Sequence, residues 1–262
     1  MISLKQFKAK AYDAFGKCEY EAKNDPLVFL DSLSWSVAIG QAFSQKVLIE
    51  MNIRLDERSC FGRAIKSAVL MEKYFPPIPI NFAEVKNNFF RELLVKNADF
   101  ENLHDADYLA EILQYEEPHG IIAFKDGRQF DSIFTTIGGN SKQLCHPEIQ
   151  VYDLWSGLYA NLLISYAVQE NYYGNYQKSL SILDLAEDVC PGLIVTQINK
   201  ASVLLKLAKT EEAIDAVKLV ISQRKDALSL FLLCNFTDDN TYKQKMESEY
   251  GPAMFNHLNS ML

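Results

Sequence analysis

The chain has 262 residues, with 26 Lys and Arg against 34 Asp and Glu for a formal net charge of −8, enough for one large domain or two domains of about 100 to 150 residues each. A 48% hydrophobic composition with only 11 Gly and 8 Pro argues against a disordered or low-complexity chain. The acidic balance, with Lys and Arg scattered among acids, leaves no basic stripe to neutralise phosphates and argues against nucleic acid as a partner. In chain order, the N-terminus interleaves charges with apolar residues, so it lacks the apolar region of a signal peptide, and no later stretch is long and apolar enough for a membrane span. The first 75 residues carry helical spacing, as in Leu27, Leu30, Leu33, Val37 and again in Phe43, Val47, Met51. Asn24-Asp25-Pro26 suits the start of the second helix. A third helix is expected from about Cys60 to Tyr74, stopped at Phe75-Pro76-Pro77. Ile80-Asn81-Phe82-Ala83-Glu84-Val85 alternates with period two and predicts a strand. Residues 88 to 116 return to helical spacing as an insertion. Strands are then expected at Gly120 to Phe124 and Arg128 to Phe134, joined by a turn at Asp126-Gly127. That turn pairs residues whose numbers sum to about 253, so Asp131 would face Ile122. After Gly138-Gly139 no further strand is expected.

From about Val151 to Leu233 the pattern is helical and repeats. Ala167, Ser179, Leu183 and Ala186 recur 34 residues later as Ala201, Ala213, Val217 and Val220. That is the tetratricopeptide period, in which small residues let paired helices approach. Asn175 to Leu180 and Lys209 to Ile214 are similar to the starts of second helices in such repeats, and Pro191 falls at the closing proline. Two repeats seldom stand alone, so this pair is expected to pack on the N-terminal region and on residues 234 to 262.

Five cysteines (Cys18, Cys60, Cys145, Cys190, Cys234) are odd in number and widely spaced, which fits a reducing, cytoplasmic setting rather than a disulfide framework. None forms a CxxC pair, and Cys145-His146 alone cannot hold a metal, so neither a structural zinc nor another cofactor is expected. A cysteine nucleophile must be a thiolate, a state favoured by a helix N-terminus and a nearby imidazolium. Cys60 follows Asp56, Glu57 and Ser59 and opens a helix. A base must reach its sulfur, and a third group must orient that base. His119, which opens the first hairpin strand, and Asp131, on the second, supply both residue types in order.

Cys60-Phe61-Gly62-Arg63-Ala64, His119-Gly120-Ile121-Ile122-Ala123-Phe124 and Asp126-Gly127-Arg128-Gln129-Phe130-Asp131 together resemble the transglutaminase-like branch of the papain-type cysteine hydrolases. With Phe134, Gly138-Gly139 and Asn161-Leu162-Leu163 before the repeats, the chain is similar to a bacterial subfamily that joins such a domain to tetratricopeptide repeats. The resemblance implies an α+β fold: a helix-rich transglutaminase-like domain with a small antiparallel sheet at 1–150, and an all-α helical repeat domain at 151–262. It implies a catalytic triad of Cys60, His119 and Asp131. The insertion at about 88–116 departs from the family's short connection between the cysteine helix and the histidine strand, and is expected to cap the site. An oxyanion donor is expected from Trp35, Gln41, Gln45 or backbone amides near Cys60.

Other features have blander readings. His104, His146 and His257 lack such company, and Glu116-Glu117 and Asp238-Asp239 read as solvated surface. Trp35 and Phe89-Phe90 are packing residues first, and Tyr172-Tyr173-Gly174-Asn175-Tyr176 reads as a helix-packing device at a turn. Two functions follow. One is a cysteine-dependent hydrolase or acyltransferase acting on a peptide or carboxamide bond. The other is a non-catalytic interaction protein whose repeats bind a protein or peptide partner.

Overall fold

The computed structural model describes residues 1–17, 60–76, 80–85, 119–125, 129–130, 149–223, 227–237 and 239–251. Helix α1 (Leu4–Phe15) starts on a capping box, in which the Ser3 hydroxyl accepts from the Gln6 amide and the Gln6 side chain accepts from the Ser3 amide. Two amide groups left free by the first turn are thereby satisfied. Phe7, Ala11 and Phe15, four residues apart, form its fully buried stripe. Helix α2 (Cys60–Tyr74) begins and ends where the sequence places it, and Phe75-Pro76 terminates it as proline chemistry requires. The helical spacing at Leu27 to Met51 and the insertion at about 88–116 lie outside the described residues.

Four strands follow: β1 (Ile80–Val85), β2 (His119–Phe124), β3 (Gln129–Phe130) and β4 (Ile149–Tyr152). They form one antiparallel sheet in the order β3-β2-β1-β4. Two sequence expectations are corrected here. First, Ile122 pairs with Phe130 and Ala123 with Gln129, so paired numbers sum to 252 and Ile122 does not face Asp131. That register needs an odd number of residues in the connection, whereas a two-residue Asp126-Gly127 turn gives an even one. Second, β4 is a strand after Gly139, where none was expected. Ile149-Gln150-Val151-Tyr152 is a short run, and its last two residues fall where the helical spacing is expected to begin. The expected division between residues 150 and 151 falls inside this strand.

Helix α3 (Leu154–Tyr172) starts on Asp153, whose carboxylate accepts from the Ser156 amide at 2.9 Å. It is followed by α4 (Tyr176–Val189), α5 (Ile194–Lys206), α6 (Thr210–Gln223), α7 (Ala227–Phe236) and α8 (Asn240–Tyr250). Helices α3 with α4, and α5 with α6, pack as hairpins, and α4 packs on α5 and α6 on α7. The residues that recur at 34-residue spacing are buried in both copies, from Ala167 and Ala201 at 0% exposed to Val217 at 3%. Helix α3 has almost no solvated side, because it also packs against α1, α2 and β1. A single apolar core therefore runs from Phe7 and Ile65 through Phe82 and Leu158 to Leu183, Val217 and Leu233. The fold is α+β, helix-rich with a small antiparallel sheet. No helix among the described residues is long and apolar enough to cross a membrane.

The turn from α3 to α4 is fastened by a buried carboxylate. Glu170 accepts from Lys178 Nζ at 2.6 Å and from Asn175 Nδ2 at 2.8 Å. Burial alone would raise its pKa, but those hydrogen bonds and the Lys178 charge outweigh burial and hold the carboxyl below its usual range. A depressed folded pKa means that the folded state binds fewer protons than the unfolded one, so this stabilisation is present above the unfolded carboxyl range, about pH 4.5, and is lost as pH falls below it. Glu170→Gln is expected to reduce stability at neutral pH and to flatten its decline on acidification. Urea midpoints compared at neutral pH and near pH 3.5 check this; equal declines in wild type and variant would contradict it.

Tyr172 and Tyr173, at the same turn, are 84% and 61% exposed and stack edge to face on each other, with ring centroids 5.6 Å apart. These two do not pack the repeat helices together, whereas Tyr176 and Asn175 of the same stretch do serve the turn as expected, Tyr176 against the core and Asn175 on Glu170. The place of Tyr172 and Tyr173 at the helix end carries them past the start of α4, and the turn reverses at Gly174, whose φ of +79° favours glycine.

Candidate active site

Cys60 is the first residue of α2. The free amides of a helix start and the positive end of its dipole favour an anion there, which is the electrostatic setting a thiolate needs. The rest of the helix is firmly seated. Ile65, Ala68, Val69, Leu70 and Met71 are buried, α2 packs against α1, α3 and β2, and Lys73 Nζ donates to the Gly16 carbonyl at 2.9 Å. Lys66, a turn and a half after Cys60, is also buried.

His119 is the first residue of β2 and lies opposite Val85 of β1. Val85 is also opposite Ile149 of β4, so Ile149, Val85 and His119 form one row across three strands. Phe82, Ile122, Ala123 and Phe124 in the same sheet are buried. The structure therefore makes neighbours of the two elements that Cys60 and His119 open, helix α2 and strand β2. Asp131 follows β3 directly and lies outside the described residues, as do Trp35, Gln41 and Gln45. The same holds for Phe89, Phe90, His104, Glu116, Glu117, Cys145, His146 and His257. Of the Asp238-Asp239 pair, Asp239 is exposed and caps α8, accepting from the Thr241 amide at 2.9 Å.

The remaining described cysteines are in a different setting. Cys190 is buried, and the Cys234 thiol is pushed up chiefly by burial, the reverse of what a nucleophile needs.

Sequence reading missed a polar hub at the far end of α2. Glu72 Oε1 accepts from Trp155 Nε1 at 2.9 Å, Glu72 Oε2 accepts from the Tyr12 hydroxyl, and Lys8 Nζ lies 3.3 Å from Oε2. Lys8 also sits 4.8 Å from the centre of the Trp155 ring. Burial first, then the hydrogen bond to Glu72 and its charge, push the Tyr12 pKa well above the ordinary range. The four-residue spacing of Lys8 and Tyr12 was the available signal; nothing local tied it to Glu72 or Trp155. Compared with protein-family models, curated proteins and solved structures, the chain matches none of them.

Proposed function

We propose that the chain is a cysteine-dependent hydrolase or acyltransferase of transglutaminase-like type. The observation that supports it most is that Cys60 opens a buried, well-anchored helix packed against the strand that His119 opens. In this reading the Cys60 thiolate attacks a carboxamide or peptide carbonyl and forms a thioester, and imidazolium His119 gives its proton to the departing amine. Asp131 keeps the imidazole in one orientation and stabilises its charged form. Neutral His119 then takes a proton from the second substrate as that substrate attacks the thioester. Water makes the reaction a hydrolysis and an amine makes it an acyl transfer.

Thiol reactivity tests this. Cys60 is expected to react with iodoacetamide near neutral pH at least about tenfold faster than Cys234, and His119→Ala to remove the advantage. Equal rates, unaffected by His119→Ala, would end the enzyme reading.

A second reading, an interaction protein built on helical repeats, is favoured by one observation. Asn161, Ser165, Val168 and Tyr172 line the incompletely buried stripe of α3, and the positions 34 residues on, Val195, Asn199, Ser202 and Lys206, line that of α5. Equivalent stripes of successive first helices are thus only partly covered, as a concave repeat surface for a protein or peptide partner requires.

A further inference from the structure

Strand β4 is tied to the helical repeats by side chains as well as to the sheet by its backbone. The Tyr152 hydroxyl lies 2.9 Å from the Gly192 carbonyl and 2.7 Å from Gln150 Oε1, and Gln150 Nε2 lies 3.3 Å from Gln223 Oε1 at the end of α6. Gly192 belongs to the turn between α4 and α5, where its φ is +82°. Its amide donates to Glu187 Oε1 at 3.1 Å, and Glu187 Oε2 accepts from Gln197 Nε2 of α5 at 2.7 Å. Six residues therefore form one continuous polar chain: Gln197, Glu187, Gly192, Tyr152, Gln150 and Gln223.

A tyrosine hydroxyl has one proton and cannot serve two acceptors fully. Turning both glutamine amides resolves this: Gln223 then donates to Gln150 Oε1, Gln150 Nε2 to Tyr152 Oη, and Tyr152 to Gly192. Each contact from Gln223 to Gly192 gains its own donor and these bonds run in one direction, while Glu187 accepts from both Gly192 and Gln197.

The sheet side of the junction has little slack. Gln150 and Tyr152 face Glu84 and Phe82 of β1, and Phe82 is pressed against Gly157 of α3. One residue along, Ile149 shares its row with Val85 and His119, about 10 Å away at the usual strand spacing. Close-packed strands pass on a displacement rather than absorb it.

We infer that this polar chain couples the helical repeats mechanically to the strand that His119 opens. Movement of the α4–α5 turn, or of the end of α6, shifts β4, and β4 carries β1 and β2 with it. The repeats thus control the sheet. The consequence for reactivity at Cys60 rests on the hydrolase reading; the coupling itself does not.

Backbone hydrogen exchange on the full chain tests it. Tyr152→Phe removes the hydroxyl but keeps the ring beside Phe82, 6.4 Å between centroids; Glu187→Gln perturbs the far end of the chain. Both are expected to speed exchange in 80–85 and 119–124 about fivefold or more, as loss of one part-buried hydrogen bond from a cooperative unit does, with α1 unchanged. The double variant should exchange no faster than the faster single, because both cut the same connection. Acceleration confined to 149–152 and 190–194, or a Glu187→Gln variant silent in the sheet, overturns the inference. Cys60 alkylation in the same samples separates the two claims. An inert Cys60 with sheet-wide exchange removes only the hydrolase reading, and a reactive Cys60 with confined exchange removes only the coupling.

Discussion

Gly157→Ala is expected to destabilise the protein by about 1 to 2 kcal/mol, although it takes a glycine out of a helix interior, which by propensity alone would stabilise by about 1 kcal/mol. The reason is Phe82. A β-carbon on Gly157 would lie 2.4 Å from Cδ1, 2.5 Å from Cγ and 2.7 Å from Cβ of that side chain. Rotating the ring cannot relieve all of this, because the Phe82 Cβ belongs to a strand bonded on one side to β2 and on the other to β4. Relief requires α3 to lift from the sheet, and overpacking of this kind costs about 1 to 3 kcal/mol. Gly157→Val, which adds two further methyl groups to the same contact, should cost more. Urea denaturation gives the free energies, and a Phe82→Ala background gives the control. There two of the three clashing atoms are gone, so Gly157→Ala should cost clearly less than in wild type. A raised midpoint for Gly157→Ala alone would show that α3 does not sit on β1 as described.

The same contact shows what the sequence could and could not reveal. The bounds of α2 and β1 were readable because their signals are local: an apolar stripe ended by Phe75-Pro76, and a period-two run from Ile80 to Val85. The ends occupied by Cys60 and His119 were readable for the same reason. The apolar Gly157 environment was not, since what demands a glycine there is a phenylalanine 75 residues earlier. Strand β4 was missed because four residues are too few for periodicity to separate from the helix that follows. The hairpin register was off by one because a turn's residue types suggest its class but do not fix its length. The place of Tyr172 and Tyr173 at a turn between helices suggests packing, yet a helix end carries their side chains past the partner that would cover them. The polar junctions at Glu72 and at Tyr152 were invisible in principle: each joins ordinary surface residue types that only the folded chain brings together. Residue order and element ends could therefore nominate Cys60, His119 and Asp131, while the supports that hold α2 and the sheet in place could not be read in advance.

Glu72→Ala is expected to cost about 2 to 4 kcal/mol, the larger of the two effects, because it strands several donors at once. The Trp155 indole N–H points at Glu72 Oε1 from a residue only 6% exposed, so water cannot readily replace the carboxylate. The Tyr12 hydroxyl loses its acceptor and Lys8 its counter-ion. The Lys8 pair is about a third to half exposed on each side and adds little by itself; the indole and phenol carry most of the effect. Glu72→Gln keeps one acceptor oxygen but turns an amide N–H₂ toward a donor, so it should fall between wild type and alanine. Tyr12→Phe isolates the phenol and has a distinctive pH signature. Its pKa is raised in the folded state, so the folded protein holds that proton to higher pH than the unfolded chain does. The stabilisation is therefore complete below the unfolded tyrosine value of about 10 and declines as pH rises above it. Between about pH 8.5 and 10.5, wild type should lose more stability than Tyr12→Phe. The slope left in the variant includes Tyr159, whose pKa is also raised by burial and whose hydroxyl donates to the Ile2 carbonyl. Denaturation of the three variants at both pH values decides the matter. If Glu72→Ala unfolded within about 0.5 kcal/mol of wild type, as an ordinary surface substitution does, the hub would not be what pins the C-terminal half of α2, and the placement of Cys60 would have to come from the packing of Ile65, Ala68, Val69, Leu70 and Met71 and from the Lys73 bond to Gly16.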